Sequence, residues 1–131
     1  MITDPIGDFI VRLKNAGTVG KDSVDVPFSK LKKSIALTLQ KNGYVGEVSE
    51  RGDEPKKTLC VELLYDESRA PKINGVQRVS KPGRRLYAKA REVHRVKYGK
   101  GLMVLTTPSG IVTDKEAREK RLGGEKLFEI W

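Results

Sequence analysis

Two short runs of polar and small residues hold most of the chemistry this chain can offer. The first, Ser80-Lys81-Pro82-Gly83-Arg84-Arg85-Leu86-Tyr87, joins a rigid turn to the cations Lys81, Arg84 and Arg85 and an aromatic ring. Lysine and arginine neutralise phosphates and release their counterions, giving affinity without sequence preference. Tyr87 beside them can stack on an unpaired base or hydrogen-bond a ribose, a common element of RNA recognition. Strand neighbours face opposite ways, so either Tyr87 or Leu86 points outward. The second run, Thr106-Thr107-Pro108-Ser109-Gly110, has no large side chain, so another molecule's backbone or base edges can approach closely. The hydroxyls of Thr106, Thr107 and Ser109 suit phosphate, 2′-OH groups or base edges. Taken alone, ordinary loop chemistry explains that second run equally well.

Catalytic arrangements are weaker. Ser109, His94 and an aspartate nominally compose a triad, but no nucleophile-elbow spacing surrounds the serine. His94 sits among Arg91, Arg95 and Lys97, as a surface histidine would. Cys60 alternates with Val61 and Leu63, which reads as a small core residue. Gly99-Lys100-Gly101 lacks the spacing and the following Ser/Thr of a phosphate-binding loop. The carboxylate pairs Asp53-Glu54 and Asp66-Glu67 fall in polar turns. No active site, small-molecule substrate or cofactor is expected. One Cys and one His cannot make an ordinary structural zinc site, and a single Cys cannot form an internal disulfide.

The charge distribution points the same way. The chain has 131 residues and a net charge of +9. Residues 69–100 hold 11 basic side chains against Glu92 alone, while 1–68 sum to −1 and 101–131 to zero. Such a block suits a surface facing a polyanion, although charge runs are often just solvated. The N-terminus MITDPIGDFI lacks a basic segment before an apolar run, and no apolar stretch approaches the roughly 20 residues needed to span a bilayer. A soluble cytoplasmic protein with no membrane partner is expected.

The elements that must position these residues follow from periodicity. Thr3-Asp4-Pro5 supplies a cap and a first-turn proline, and Ile6, Phe9, Ile10 and Leu13 predict a helix over 4–15, stopped by Asn15-Ala16-Gly17. Ser23–Phe28 alternates as a strand. Ser29 caps a second helix with Leu31, Ile35, Thr38 and Leu39 inward, ended by Asn42-Gly43. Strands follow at Tyr44–Glu50 and Thr58–Leu64, joined by the turn Arg51–Lys57. Residues 1–66 thus form an α/β lobe (helix-strand-helix-strand-strand), with Asp66–Pro71 as a linker. Residues 67–131 form a mainly antiparallel β lobe with short helices. Its strands are Ile73–Ser80, a short segment Arg84–Lys89 and Leu102–Leu105, with a brief helix at Glu92–Lys97. After the small-residue loop come another strand and a helix opened by the capping box Thr113-x-x-Glu116. Gly123-Gly124 ends that helix in a left-handed cap, and a final strand runs to Trp131. The fold class is α+β in two small lobes.

Three ordered, widely spaced motifs now matter together. They are Thr3-Asp4-Pro5-Ile6 continuing through Arg12 to Asn15-Ala16; Ser80-Lys81-Pro82-Gly83 with Arg85 and Tyr87; and Gly110, Thr113-Asp114-x-Glu116-Ala117-Arg118, Gly123-Gly124-Glu125 and Trp131. Over nearly its full length the chain resembles the bacterial-type small-subunit ribosomal protein eight family. The resemblance implies a primary binder of the central domain of small-subunit ribosomal RNA, at a helical element with internal unpaired bases. It implies recognition mainly by the C-terminal lobe, neighbouring small-subunit ribosomal proteins as partners, and a structural role in assembly. It places Thr106, Thr107, Ser109 and Gly110 in a close-approach loop, with Gly124 and Glu125 as the corner beside it. Tyr87 then contacts base or ribose, and Lys81, Arg84 and Arg85 hold phosphates. In the N-terminal lobe, Asp4 and Pro5 open a helix whose N–H groups suit phosphate, and Lys30 adds charge. Thr3, Arg12, Asn15 and Pro108 complete the candidates.

The family's hydroxyl loop normally reads Ser-Thr-Ser-Lys-Gly, and this chain departs from it. Thr106 keeps a hydroxyl and adds a methyl. Pro108 stands where a serine is usual, losing a hydroxyl and a backbone donor and biasing Thr107 toward an extended backbone. Ser109 stands where a lysine is usual; a lost charged contact is worth on the order of 1–3 kcal/mol. Two rival readings use the same basic surface: an RNA-processing enzyme, disfavoured because no acid/base pair accompanies the loop, and a regulator that binds its own operon's messenger RNA.

Overall fold

The computed structural model describes residues 4–93 and 101–131. Thr3, His94 and most of the helix expected over Glu92–Lys97 lie outside the described residues. The order of elements is α1 (Pro5–Thr18), β1 (Ser23–Pro27), α2 (Lys30–Lys41), β2 (Val45–Arg51), β3 (Thr58–Leu63), β4 (Val76–Arg78), β5 (Tyr87–Ala88), a 3-10 turn at Ala90–Glu92, β6 (Leu102–Thr107), β7 (Gly110–Thr113), α3 (Asp114–Lys120) and β8 (Gly124–Ile130). The fold is α+β, as the periodicity implies. Two compact units emerge, Asp8–Asn74 and Gly75–Trp131, with residues 4–7 belonging to the second.

In the Asp8–Asn74 unit, β3 lies between β1 and β2 in an antiparallel sheet. Val24, Val26, Leu59, Val61 and Leu63 are buried on alternate positions. Leu13, Ile35, Ala36 and Leu39 bring the apolar faces of the two helices to the same core. Ser29 caps α2 as expected, its hydroxyl accepting from the Lys32 N–H at 3.0 Å. Leu31 is 42% exposed rather than inward. At about 100° per residue, the buried arc centred between Ile35, Ala36 and Leu39 leaves Leu31 near its edge. Cys60 is also not core. Period two sends Leu59, Val61 and Leu63 inward and Cys60 to the opposite face, where its Sγ accepts from Arg51 Nε at 2.9 Å.

α1 runs past Asn15-Ala16-Gly17 to Thr18. Ala16 is still buried, so continuing the helix serves the core. The stop is Gly20 (φ 78°), with Gly20 N–H on the Gly17 carbonyl and Lys21 N–H on the Ala16 carbonyl, the double bond of a Schellman cap.

The second unit is a five-stranded antiparallel sheet in which β8 takes β4 and β5 on one side and β6 on the other, and β6 in turn takes β7. Ala88, Val93, Met103, Leu105, Val112 and Ala117 form a core cluster with Leu122 packed against it. The regular strands within Ile73–Ser80 and Arg84–Lys89 are the shorter β4 and β5, although backbone hydrogen bonds along β8 continue from Val79 to Leu127, from Ser80 to Lys126 and from Lys126 to Leu86.

Two expectations about α3 need correction. Thr113 Oγ1 accepts from the Glu116 N–H at 3.2 Å, but the Glu116 carboxylate meets the Thr113 hydroxyl, not its backbone N–H. Only half of the capping box therefore forms. The left-handed cap is Arg121 (φ 54°), not Gly123 or Gly124.

Candidate nucleic-acid interface

The two runs singled out from the sequence meet across β8. Glu125 is the register partner of Tyr87 on β5 and of Thr106 on β6, so the three occupy one cross-strand row. Directly opposite residues share a face. Tyr87 lies on it 69% exposed, whereas its neighbour Ala88 is buried on the reverse face. Of Leu86 and Tyr87, the ring is the outward member.

The next row is Ala88 against Gly124. A Cβ on Gly124 would overlap the Thr106 carbonyl oxygen and lie 2.9 Å from Thr107 Cγ2. Gly124 is therefore required for the close approach of β8 to the end of β6, a different reason from the helix cap expected of it.

Thr106 and Thr107 are strand, not loop; their β-branched side chains suit the pleated ladder. The connection narrows to Pro108-Ser109, with Thr107 paired to Gly110. Thr107 Oγ1 donates to the Gly110 carbonyl at 2.9 Å and accepts from the Ser109 N–H at 3.1 Å. Its hydroxyl thus braces the hairpin from within. Pro108, Ser109 and Gly110 are exposed at the tip.

The cationic run is also braced. Ser80 is fully buried, and its hydroxyl accepts from the Leu86 N–H at 2.8 Å and donates to the Leu86 carbonyl at 3.1 Å. Lys81 and Arg84 exchange both backbone hydrogen bonds. This clip leaves Lys81, Arg84 and Arg85 exposed. Arg85 pairs with Glu125 at 3.2 Å, which places a cation against the carboxylate of the central row.

Asp4 Oδ1 accepts from the Gly7 N–H at 3.2 Å, capping α1, and the same carboxylate pairs with Arg78 at 3.1 Å. Pro5 follows, exposed, in the first turn. In the Asp8–Asn74 unit, Arg12 and Asn15 line a cavity of about 410 Å3 with Lys21 and Ser23. Lys30 is exposed at the start of α2. Burial, reinforced by the nearby Arg12 guanidinium, pulls the Lys32 ammonium below its ordinary pKa.

Sequence reasoning did not single out Ser80 as a clip or Asp114 as a tie. Asp114 is 4% exposed; it accepts from the Met103 N–H at 3.1 Å and from Arg118 at 3.0 Å, fastening α3 to β6. Its sequence signals were a position in the first turn of a helix and a place in the closing motif, neither of which points to β6. Among the described residues no cluster of His, Cys, Asp or Glu could hold a metal ion, and no helix is long and apolar enough to cross a membrane.

Comparison with known proteins gives the family. Residues 4–131 match the family model for ribosomal protein S8. The chain belongs to the ribosomal protein S8 family. It is 46% identical to the small ribosomal subunit protein uS8 of Syntrophus aciditrophicus, over 99% of this chain and 98% of that one. Identity is 44% with the uS8 of Rhodococcus erythropolis and 43% with that of Leuconostoc mesenteroides, each over 99% of this chain and 98% of theirs. Membership makes this a structural family member and not an enzyme, and the family resemblance drawn from the three motifs holds.

Proposed function

We propose that this chain is a structural component of the small ribosomal subunit that binds the central domain of its RNA directly and helps that domain fold. The observation that carries this reading is the row Tyr87–Glu125–Thr106 beside the braced cations Lys81, Arg84 and Arg85. A flat ring, an acceptor and a hydroxyl suit splayed, unpaired bases, whereas a regular RNA duplex hides its base edges in a deep, narrow groove. Glu125 fits this picture as an acceptor for a base amino group. Arg85 offsets the charge with which it would otherwise repel phosphate.

Ser109 and Gly110 at the hairpin tip, with Thr107 bracing them, form the close-approach element, and Gly124 lets β8 run beside it. Arg12, Asn15 and Lys30 add contacts from the N-terminal lobe. Asp4 acts mainly by capping α1 and holding Arg78, and Pro5 by starting the helix. The names of the relatives support residence within the small subunit, among other ribosomal proteins.

The test is a salt-dependent titration against a central-domain RNA fragment and an unrelated hairpin of equal length. Tighter binding to the fragment at every salt concentration is expected. Equal affinity for both would overturn the reading and leave only a sticky cation.

A further inference from the structure

α3 and the 3-10 turn Ala90–Glu92 frame a second basic feature. A groove of about 380 Å3 is lined by Arg91, Val93, Arg118 and Arg121. Val93 is buried and gives the groove an apolar side. Arg118 is held by Asp114 at 3.0 Å. Arg91 and Arg121 are exposed and have no acidic partner within salt-bridge distance among the described residues.

Cations in the last turn of a helix complement its dipole, which accounts for Arg118 and Lys120. That argument does not reach Arg91, which comes from another element. Nor does it explain Arg121, which holds a left-handed backbone (φ 54°) where glycine would be free of strain. Asp114 already meets the charge of Arg118, but Arg91 and Arg121 bring two further like charges to the groove, which an entering anion would offset.

The groove lies on the Ala88 side of the sheet, where Ala88, Val93 and Ala117 of α3 share one core cluster, on the reverse of the exposed Tyr87 face. Arg91 follows Ala88 by three residues and Arg121 precedes Gly124 by three, and Ala88 and Gly124 are register partners. We propose that this groove holds backbone phosphates of the bound RNA, extending the interface onto the α3 side of the C-terminal unit. The inference rests on the RNA-binding reading above, but it concerns phosphate contacts, not base recognition.

The test uses the full chain carrying Arg91→Gln and Arg121→Gly together. Glycine relieves the left-handed strain, so the variant should melt no lower than the parent, and a thermal melt checks this. Affinity for both the central-domain fragment and the unrelated hairpin should fall roughly tenfold at moderate salt. The slope of log affinity against log salt should shrink by about one to two. The ratio between the two RNAs should persist.

An unchanged slope and affinity would overturn the groove, while discrimination by the parent chain would leave the proposed function standing. Lost discrimination at unchanged slope would also overturn it, because that marks a base contact. If the parent fails to discriminate but the variant's slope still shrinks, the specific-binder reading falls and the phosphate groove stands.

Discussion

Tyr87 shows what one side chain contributes when it is not part of the core. At 69% exposure it has little packing to lose, so Tyr87→Ala should change stability by no more than about 0.5 kcal/mol. The same substitution should narrow the affinity gap between the central-domain fragment and the unrelated hairpin, since stacking on a base is worth about 1–3 kcal/mol. Parallel melts and titrations measure both. An unmoved gap would mean the ring is idle. Gly124 is the converse case, a residue whose value is the absence of a side chain. Gly124→Ala should cost about 1–3 kcal/mol, because the clash is with the Thr106 backbone and not with a movable side-chain end. Chemical denaturation reads that cost.

At the scale of elements, the interface depends on clips that touch no ligand. The Ser80 hydroxyl satisfies both backbone groups of Leu86 in a buried position. Ser80→Ala leaves that N–H unpartnered, at about 1–3 kcal/mol, while the Leu86 carbonyl keeps the Lys126 N–H at 2.9 Å. RNA affinity should also fall, because the loop that carries Lys81, Arg84 and Arg85 loses its closure; Ser80→Gly would make matters no better, and Ser80→Thr tests whether the hydroxyl alone suffices. The β6–β7 hairpin is built differently. Thr107 braces it through a single hydroxyl, and Pro108 stiffens its first corner. Pro108→Ser should lower stability by about 0.4–1 kcal/mol through added freedom in the unfolded chain, a small but measurable drop in melting temperature. These arrangements also show the limits of pattern reading. The alternation that marks β3 as a strand was visible, but which face would be covered was not, and Cys60 went to the open one. Thr106 and Thr107 looked like loop because they are small and polar, yet pairing with β7 and β8 made them strand.

For the whole molecule the governing quantity is charge and its linkage to protons. Lys32 illustrates the sign. Its folded-state pKa is lowered below 10.5 by burial and by Arg12, so folding disfavours its charged form. The cost is fully present below the folded pKa and disappears as pH rises toward the unfolded value, where the unfolded chain binds the extra proton. Lys32→Met removes this titration along with the Lys32 bond to the Pro27 carbonyl, so the variant's stability should rise less than the parent's between pH 7 and 10, as read by denaturant melts at both pH values. A bound phosphate nearby would push the Lys32 pKa back up. The basic block of residues 69–100 predicts a global salt dependence as well. Arg84→Ala should weaken both RNAs alike and flatten the salt slope by about one.

Residue types and their spacing were enough to establish the α+β class, the basic block, the two chemical runs and, through three ordered motifs, the family to which the chain belongs. Local properties travel with the sequence, because helix period, strand alternation and net charge need no distant partner. Tertiary structure alone decided that Tyr87, Glu125 and Thr106 share one row. That outcome depends on strand register, and a shift of one residue would send each side chain to the other face. It also decided that Gly124 serves close approach, that Arg121 and not a glycine takes the left-handed cap, and that Arg91 meets Arg118 and Arg121 around one groove. Apart from the Arg121 cap, which is local to the end of α3, these are meetings of residues far apart in the chain, and only packing determines which of them meet.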